Sequence, residues 1–386
     1  MKILHVCLAS FYIDNYGYQE NVLPKMHKLQ GHEVEILAST ETYLNGNEMS
    51  YLKPSLYYNE DNIKVTRIPY VNILNHFVSK KLRFYHGIKI KLIEFKPEII
   101  FLHDIQFLGI FEIIKFLKKN SNVIVYADGH ADLTNSATNW ISKNILHSII
   151  YKLCARKIDN YVKKFYGTLP CRVDFFKNFY GVTNEKVELL VMGVDDTLIK
   201  FDKENNKKEL FSKHGINKDD FVIISGGKLN EKKNIHNLVN AIVEIDNIKL
   251  KLILFGKPDE KVLELIGNKL EHKSIIYLSW LSNIEIHKYL SISDLCVFPG
   301  KHSVLWEQAA GIGIPGIFKK IKGHDHIDLN GNCILINEGS TKEIKHQILK
   351  VTSNNQFYNK LLLAAAEGKK TFSYYEIAKR AIEQNK

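Results

Sequence analysis

The sequence predicts an α/β protein of two doubly wound, parallel-sheet, Rossmann-like domains facing each other across a cleft. Three observations carry this. Strand and helix patterns alternate along nearly the whole chain, as parallel βα units require. The predicted strands are short apolar runs bounded by turn residues, as strands buried on both faces are. One polar, charge-dense stretch, Asp195 to Glu209, interrupts the alternation, which then restarts. At 386 residues the chain exceeds one ordinary core, in agreement with two domains.

In chain order, Lys2–Leu8 reads as a first buried strand. A signal peptide is the competing reading of this basic-then-apolar start, but the run is one strand long, His5 interrupts it and Asp14 follows soon after. A helix over Glu20–Gln30 ends at Gly31-His32, and a strand follows at Glu33–Ala38. Further strands are expected at Ile63–Ile68, Ile99–Leu102 after Pro97, Val123–Tyr126, Ile158–Val162 and Val187–Leu190, with a helix at Leu108–Lys119. Beyond the linker, strands are expected at Phe221–Ser225, Leu250–Phe255, Ile275–Leu278, Leu295–Phe298 and from Ile317 onward. Helices are expected between them at Ile235–Ile245, Glu260–Leu270 and Ile284–Ser291, and a last one at Tyr374–Gln384. The domains are therefore placed at 1–198 and 199–371, with the segment 372–386 a candidate to pack back on the first.

Composition narrows the function classes. The apolar fraction of 45% and charged fraction of 25% are those of an ordinary globular protein. No run approaches the ~18 consecutive apolar residues of a membrane span. The five cysteines are scattered without CxxC spacing, which suggests buried thiols in a reducing, cytoplasmic compartment and no zinc site. The formal charge of +11 is not accompanied by any nucleic-acid-binding motif, so no nucleic-acid partner is expected. It concentrates at Lys80, Lys81, Arg83, Lys89 and Lys91, a run without an acid. That run is either a solvated helix face or a contact for an anionic membrane surface or acceptor, the latter implying peripheral attachment at the inner face of the membrane.

Two segments of the second half carry chemistry. In the first, the strand ending at Phe298 leads through a short loop into a helix opening near Ser303. Glu307 sits in that helix's first turns, and a Gly-x-Gly-x-Pro turn at Gly311–Pro315 closes it. A helix N-terminus at a strand's carboxyl end presents unpaired N–H groups to a phosphate. A carboxylate one turn inside is placed for sugar hydroxyls. The second segment, Ser225 to Asn234, follows the first strand of this domain. Its glycines, Gly226 and Gly227, allow a sharp turn, and Lys228 and Lys233 flank it as solvated loop lysines or as a clamp on a pyrophosphate.

The Gly-Lys-Leu-(x)3-Lys pattern from Gly227 to Lys233 and the Glu-Gln-Ala-Ala-Gly-Ile-Gly-Ile-Pro pattern from Glu307 resemble those of family-4 type retaining glycosyltransferases of the GT-B fold. The His-Ser-Val-Leu-Trp-Glu-Gln segment points to a capsule or polysaccharide-type subgroup. Other parts agree in order: Tyr16-Gly17-Tyr18-Gln19-Glu20 as the glycine loop after the first strand, Gly31-His32-Glu33-Val34, and Met192-Gly193-Val194-Asp195 before the linker. Lys228 replaces the usual Arg, keeping the charge without the bidentate fork.

The resemblance implies a metal-independent, retaining transferase. It would move a sugar from a nucleotide diphosphate sugar, most often a UDP-sugar in this family, to a hydroxyl of a glycan or lipid-linked acceptor. It implies no cofactor beyond that co-substrate. Lys228 and Lys233 would neutralise the departing diphosphate, Glu307 would hold the ribose, and Gly17 and Gly227 would let backbone approach the donor. Gly256 and Trp280-Leu281, after two further strands, are placed for the nucleotide. His130 would lie near the reacting hydroxyl, with Asp128 and Asp132 as alternatives for orienting or deprotonating the acceptor, and loop capping as the competing role. Tyr18, Glu20 and His103 complete the acceptor wall. One departure stands out: Pro299 occupies the place of the family's first, donor-sugar glutamate. His302, Lys301 and the amides of Ser303 and Val304 are the candidates to replace it, with helix capping as the alternative for His302. An epimerase of the same fold and a non-catalytic nucleotide-sugar-binding protein are the rival readings.

Overall fold

The computed structural model describes residues 1–44, 48–71, 75–199 and 203–383. The chain forms two compact units, Met1–Val191 with Ile377–Lys386, and Met192–Glu376. The boundary thus falls after Val191, seven residues before the expected 198. Part of the predicted linker is helix, Lys203–His214, while residues 200–202 of it lie outside the described residues, as do residues 384–386 of the terminal segment. The terminal helix is Tyr374–Ala381, and from Ile377 it belongs to the first unit.

The first unit contains β1 (Lys2–Cys7), β2 (Glu33–Ser39), β3 (Glu41–Leu44), β4 (Glu48–Tyr51), β5 (Ser55–Tyr58), β6 (Lys64–Ile68), β7 (Ile99–His103), β8 (Ile124–Gly129), β9 (Val162–Gly167) and β10 (Val187–Leu189). Eight of them form one sheet in the order β10-β9-β8-β7-β1-β2-β6-β5, and β3 and β4 pair separately as an antiparallel hairpin. The large sheet is parallel except for β5, which runs antiparallel on its edge. The strand expected at Ile158–Val162 is corrected. Ile158 ends the helix Lys152–Ile158, where it is buried with Cys154 and Ala155 at helical spacing, and β9 starts only at Val162.

At the sheet centre the pleat sorts side chains between two faces. Leu4, Val6, Ile100, Leu102, Val125 and Ala127 enter one apolar cluster. The alternate positions put His5 beside Phe101, and His103 beside Asp128, on the other face.

The second unit contains β11 (Phe221–Gly226), β12 (Leu250–Phe255), β13 (Ile275–Leu278), β14 (Leu295–Phe298), β15 (Gly316–Lys319) and β16 (Cys333–Ile336), all parallel, in the order β13-β12-β11-β14-β15-β16. Its central strands β11, β12 and β14 are almost wholly buried, which explains their uninterrupted apolar sequence. The strand order reverses between β11 and β14, the position at which open α/β sheets bind ligands beyond the carboxyl ends of their strands.

Candidate functional site

Three loops of the second unit meet at that reversal. Gly256, at φ +118, packs so close to the loop after β11 that an added Cβ would lie 2.0 Å from the Gly227 carbonyl oxygen. Gly227, at φ +101, lies against Leu305. The loop after β14 is fastened to the loop after β11 by four bonds. Lys233 Nζ donates to the carbonyls of Lys301 at 2.9 Å and His302 at 2.8 Å, the Lys301 amide donates to Lys232 O at 2.8 Å, and Asn234 Nδ2 donates to Pro299 O at 3.1 Å. A Cβ on Gly300 would stand 2.3 Å from the carbonyl carbon of Lys233, so only glycine allows this approach.

The helix expected from Ser303 is Leu305–Ile312, with Val304 as its N-cap. No acceptor among the described residues takes the amides of Ser303, Val304 or Leu305. Lys228, in the loop after β11, and Lys301, in the loop after β14, are exposed, and Lys233 is half-buried. Burial, aided by the charge of Lys301, pushes the Lys233 amine down to about 8. Free amides at a helix start, on a loop tied to Lys233 and joined to the loop that carries Lys228, make a candidate anion site.

Glu307 is fully buried. Its Oε1 accepts from His302 Nε2 at 2.7 Å and from His326 Nε2 at 2.8 Å. Burial alone would raise its carboxyl, but the two imidazoles more than reverse this and hold it well below the usual carboxylate range. Glu307 Oε2 is buried and has no partner among the described residues. The donor atoms of His302, Glu307 and His326 lie within 4.8 Å of one another, the donor set of a two-histidine, one-carboxylate metal site, and in this structure they hydrogen-bond to each other.

His302 therefore supports Glu307, a partner that the sequence reading did not give it, and its ring meets Trp306 edge-on. His326 was missed altogether. Its only signal was the local density of histidines, His324 and His326 together in an otherwise unassigned loop. Trp280 is 63% exposed, so it is not a core residue, while the neighbouring Leu281 is buried.

In the first unit the expected residues gather where β7 and β8 end. Asp128 is fully buried. Its Oδ2 accepts from Gln19 at 2.8 Å and faces His103 Nδ1 at 2.9 Å; its Oδ1 accepts from the Asp104 amide at 3.1 Å. Burial would raise its carboxyl, yet His103 and His130 hold it far below the ordinary value. His130 Nε2 lies 3.5 Å from Asp128 and 4.0 Å from Glu20. Burial works against its charge, but these carboxylates prevail and raise the imidazole to about 9. Near neutral pH His130 thus carries its proton and Asp128 is ionised, which favours orienting over deprotonating, the two roles left open for this position. Together they present a hydrogen-bonding cation.

The acceptor-wall expectation for His103 is corrected, and Asp132 takes the loop-capping alternative. His103 is 0% exposed and lies in the interior between His5 and Asp128. Asp132 closes its own loop, accepting from the Thr134 amide and hydroxyl, the Asn135 amide and Arg172. Glu20 is buried near His130, Tyr18 is exposed with its carbonyl starting the helix Gln19–Leu29, and Gly17 lies in the loop before it.

The basic run Lys80–Lys91 does not form one free face. Lys91 is buried against Glu35, Lys80 lies 3.4 Å from the buried Glu41, and Arg83 donates to the carbonyl of Gln106. Lys81 and Lys89 remain exposed. Among the described residues, no helix is long and apolar enough to cross a membrane.

Comparison with known proteins gives these geometries a context. Residues 206–367, inside the second unit, match the family described as glycosyl transferases group 1. An uncharacterised glycosyltransferase of Methanocaldococcus jannaschii is 24% identical over 382 residues, covering 92% of this chain and 90% of that protein. An uncharacterised 41.2 kDa protein of the cps region of Klebsiella pneumoniae is 22% identical over 196 residues, 50% of this chain and about half (49%) of that protein's length. Among solved structures, HepE of Anabaena in complex with UDP and glucose superimposes with a TM-score of 0.64 at 15% identity, over 98% of each chain. The fold is the two-domain α/β GT-B fold.

Proposed function

We propose that this chain, whose second unit carries a glycosyl transferases group 1 domain, is a retaining, metal-independent glycosyltransferase. It moves a sugar from a nucleotide diphosphate sugar, a UDP-sugar first among them, to a hydroxyl of a glycan or lipid-linked acceptor in surface polysaccharide synthesis. The observation that carries this reading is the anion site at the helix Leu305–Ile312. It has three free amides, the two joined loops carry the cations Lys228, Lys233 and Lys301, and Glu307 is locked one turn on by two imidazoles. Such a site stabilises charge growing on a departing diphosphate, the largest electrostatic demand of sugar transfer. The solved relative with UDP and glucose and the relative from a cps region support the choice of donor and pathway class.

In the first unit, the His130 cation donates to the acceptor or donor sugar, and the acceptor proton leaves with the phosphate. Cytoplasmic placement, peripheral at the inner face of the membrane, belongs to the same reading, and fractionation of cells tests it. The reading as a whole is tested by screening nucleotide sugars for thermal stabilisation of the protein. Stabilisation by one of them, lost in Lys233→Ala, is expected; no stabilisation by any of them refutes it. Pro299, in the place of the donor-sugar glutamate, favours a second reading, a non-catalytic nucleotide-sugar-binding protein. Sugar transfer by the purified chain excludes that, and product analysis with donor alone separates an epimerase.

A further inference from the structure

A line of four hydrogen bonds runs through the interior of the first unit. His27 Nε2 lies 2.9 Å from the Ala378 carbonyl oxygen, and His27 Nδ1 lies 3.0 Å from His5 Nε2. His5 Nδ1 lies 2.9 Å from His103 Nε2, and His103 Nδ1 lies 2.9 Å from Asp128 Oδ2. All four side chains are 0% exposed, so each polar atom depends on its neighbour in the line.

The direction of the line follows from its far end. A carbonyl oxygen only accepts, so His27 donates from Nε2. Burial pushes the imidazole of His27 down to about 3 and that of His5 well below its ordinary value, so each is neutral with one N–H. His27 Nδ1 is then an acceptor and His5 donates from Nε2. His5 Nδ1 is in turn an acceptor and His103 donates from Nε2. At the near end Asp128 accepts from Gln19 and from the Asp104 amide, and its last bond requires a second proton, on His103 Nδ1. The other charged groups around this end are His130, Glu20 and Asp104; His130 binds on the Oδ1 side of Asp128.

We propose that the Ala378 carbonyl sets the direction of this histidine line and so makes His103 a buried imidazolium, with Asp128 as its counter-ion and His5 and His27 as positioning residues. A neutral His103 would leave a lone pair facing either His5 Nδ1 or Asp128 Oδ2 across a hydrogen-bond distance, at the cost of a buried unmade bond. Asp128 is then held between two cations, one on each oxygen, which keeps it ionised and aims its Oδ1 at His130. The protonation state stands on the hydrogen-bond geometry of the line and on the burial that keeps His27 and His5 neutral; only its consequence for sugar transfer rests on the function proposed above.

The test is the ring-nitrogen NMR spectrum of the full chain with labelled histidine, with His103 assigned by its loss in His103→Asn. Wild type should show both His103 nitrogens protonated at about pH 7.5, where an ordinary histidine is neutral. In His27→Phe the acceptor for His5 Nε2 is gone. His5 then moves its proton to Nδ1 and donates to His103, which becomes neutral at the same pH. His27→Gln, whose planar amide supplies an acceptor and a donor, should keep the imidazolium. A neutral His103 in wild type, its loss in His27→Gln, or its survival in a folded His27→Phe each overturns the proposal. If His27→Phe does not fold, wild type and His27→Gln decide. Nucleotide-sugar binding is scored separately, so a protein with an imidazolium at His103 but no nucleotide affinity refutes the function and leaves the relay intact.

Discussion

The ammonium of Lys233 donates to the carbonyl oxygen of His302 across 2.8 Å. One cation thereby ties the loop after β11 to the loop after β14, whose free amides open the proposed anion site. Lys233→Ala should therefore lower transfer by about 100-fold, the scale of losing one preorganised donor. Because its amine is pushed down to about 8, kcat/KM should fall as pH rises through that value. Lys233→Arg, charged throughout, should not show the fall. A wild-type rate unchanged from about pH 7 to about pH 9.5 contradicts this.

His326→Ala leaves one imidazole on the buried Glu307 carboxylate. It should destabilise the fold by about 1–3 kcal/mol, read from the urea midpoint. Since Glu307 is held below its ordinary value, its contribution is present above the unfolded carboxylate range and is lost as pH falls. The stability gap between wild type and Glu307→Gln should thus be full at neutral pH and narrow below about pH 4. A gap independent of pH would sink this account.

Two glycine substitutions separate strain from collision. Gly267 has φ +56 with ψ −139, a backbone conformation that favours glycine, and open space around its missing Cβ, so Gly267→Ala should cost about 1–3 kcal/mol through strain alone. Gly300→Ala drives a methyl group into the Lys232–Lys233 backbone and should part the two loops, weakening nucleotide binding by about tenfold or more. Isothermal titration of both variants checks this; equal affinities would mean that the loop contact is unimportant.

His130 is raised to about 9, so its charge contributes stability that is complete below the ordinary histidine value and lost as pH rises through about 9. Thermal melts of wild type and His130→Gln at about pH 6, 7.5 and 9.5 should show the gap largest at the lowest pH, narrower but open at the middle one and closed only at the highest. A gap that closes between the first two would place the titration elsewhere.

The strands that build the site were legible because each is a short apolar run ending at a turn. β12, β13 and β14 were read to the residue, and β11 to within one. Strands β3, β4 and β5 were not, since they are four-residue edge pieces, β5 largely exposed and without a buried face to pattern. Beyond β15, β16 and the helices Thr341–Ser353 and Asn355–Gly368 went unassigned, although Ile344, Ile348 and Val351 mark a buried helical stripe. In the site, the anion-binding end and the position of Glu307 could be read because a helix start after a strand is a local pattern. The charge state of His130 could not, because it depends on Glu20 and Asp128 approaching from other elements.

By itself the sequence determined the alternation of strand and helix and which residues stand at strand ends: Gly227, Lys233, Glu307, Asp128 and His130. These follow from periodicity and from glycine's freedom to turn, both properties of neighbouring residues. Only the tertiary structure decided their partners. His5 meets His103 across 98 positions because β1 and β7 pair in one register, and His326 meets Glu307 from a loop that no spacing rule connects to it. A buried charge takes its properties from whatever the fold places within hydrogen-bond distance. That is why Glu307, expected to hold the ribose, has its carboxylate set between two histidines that no local pattern foretold.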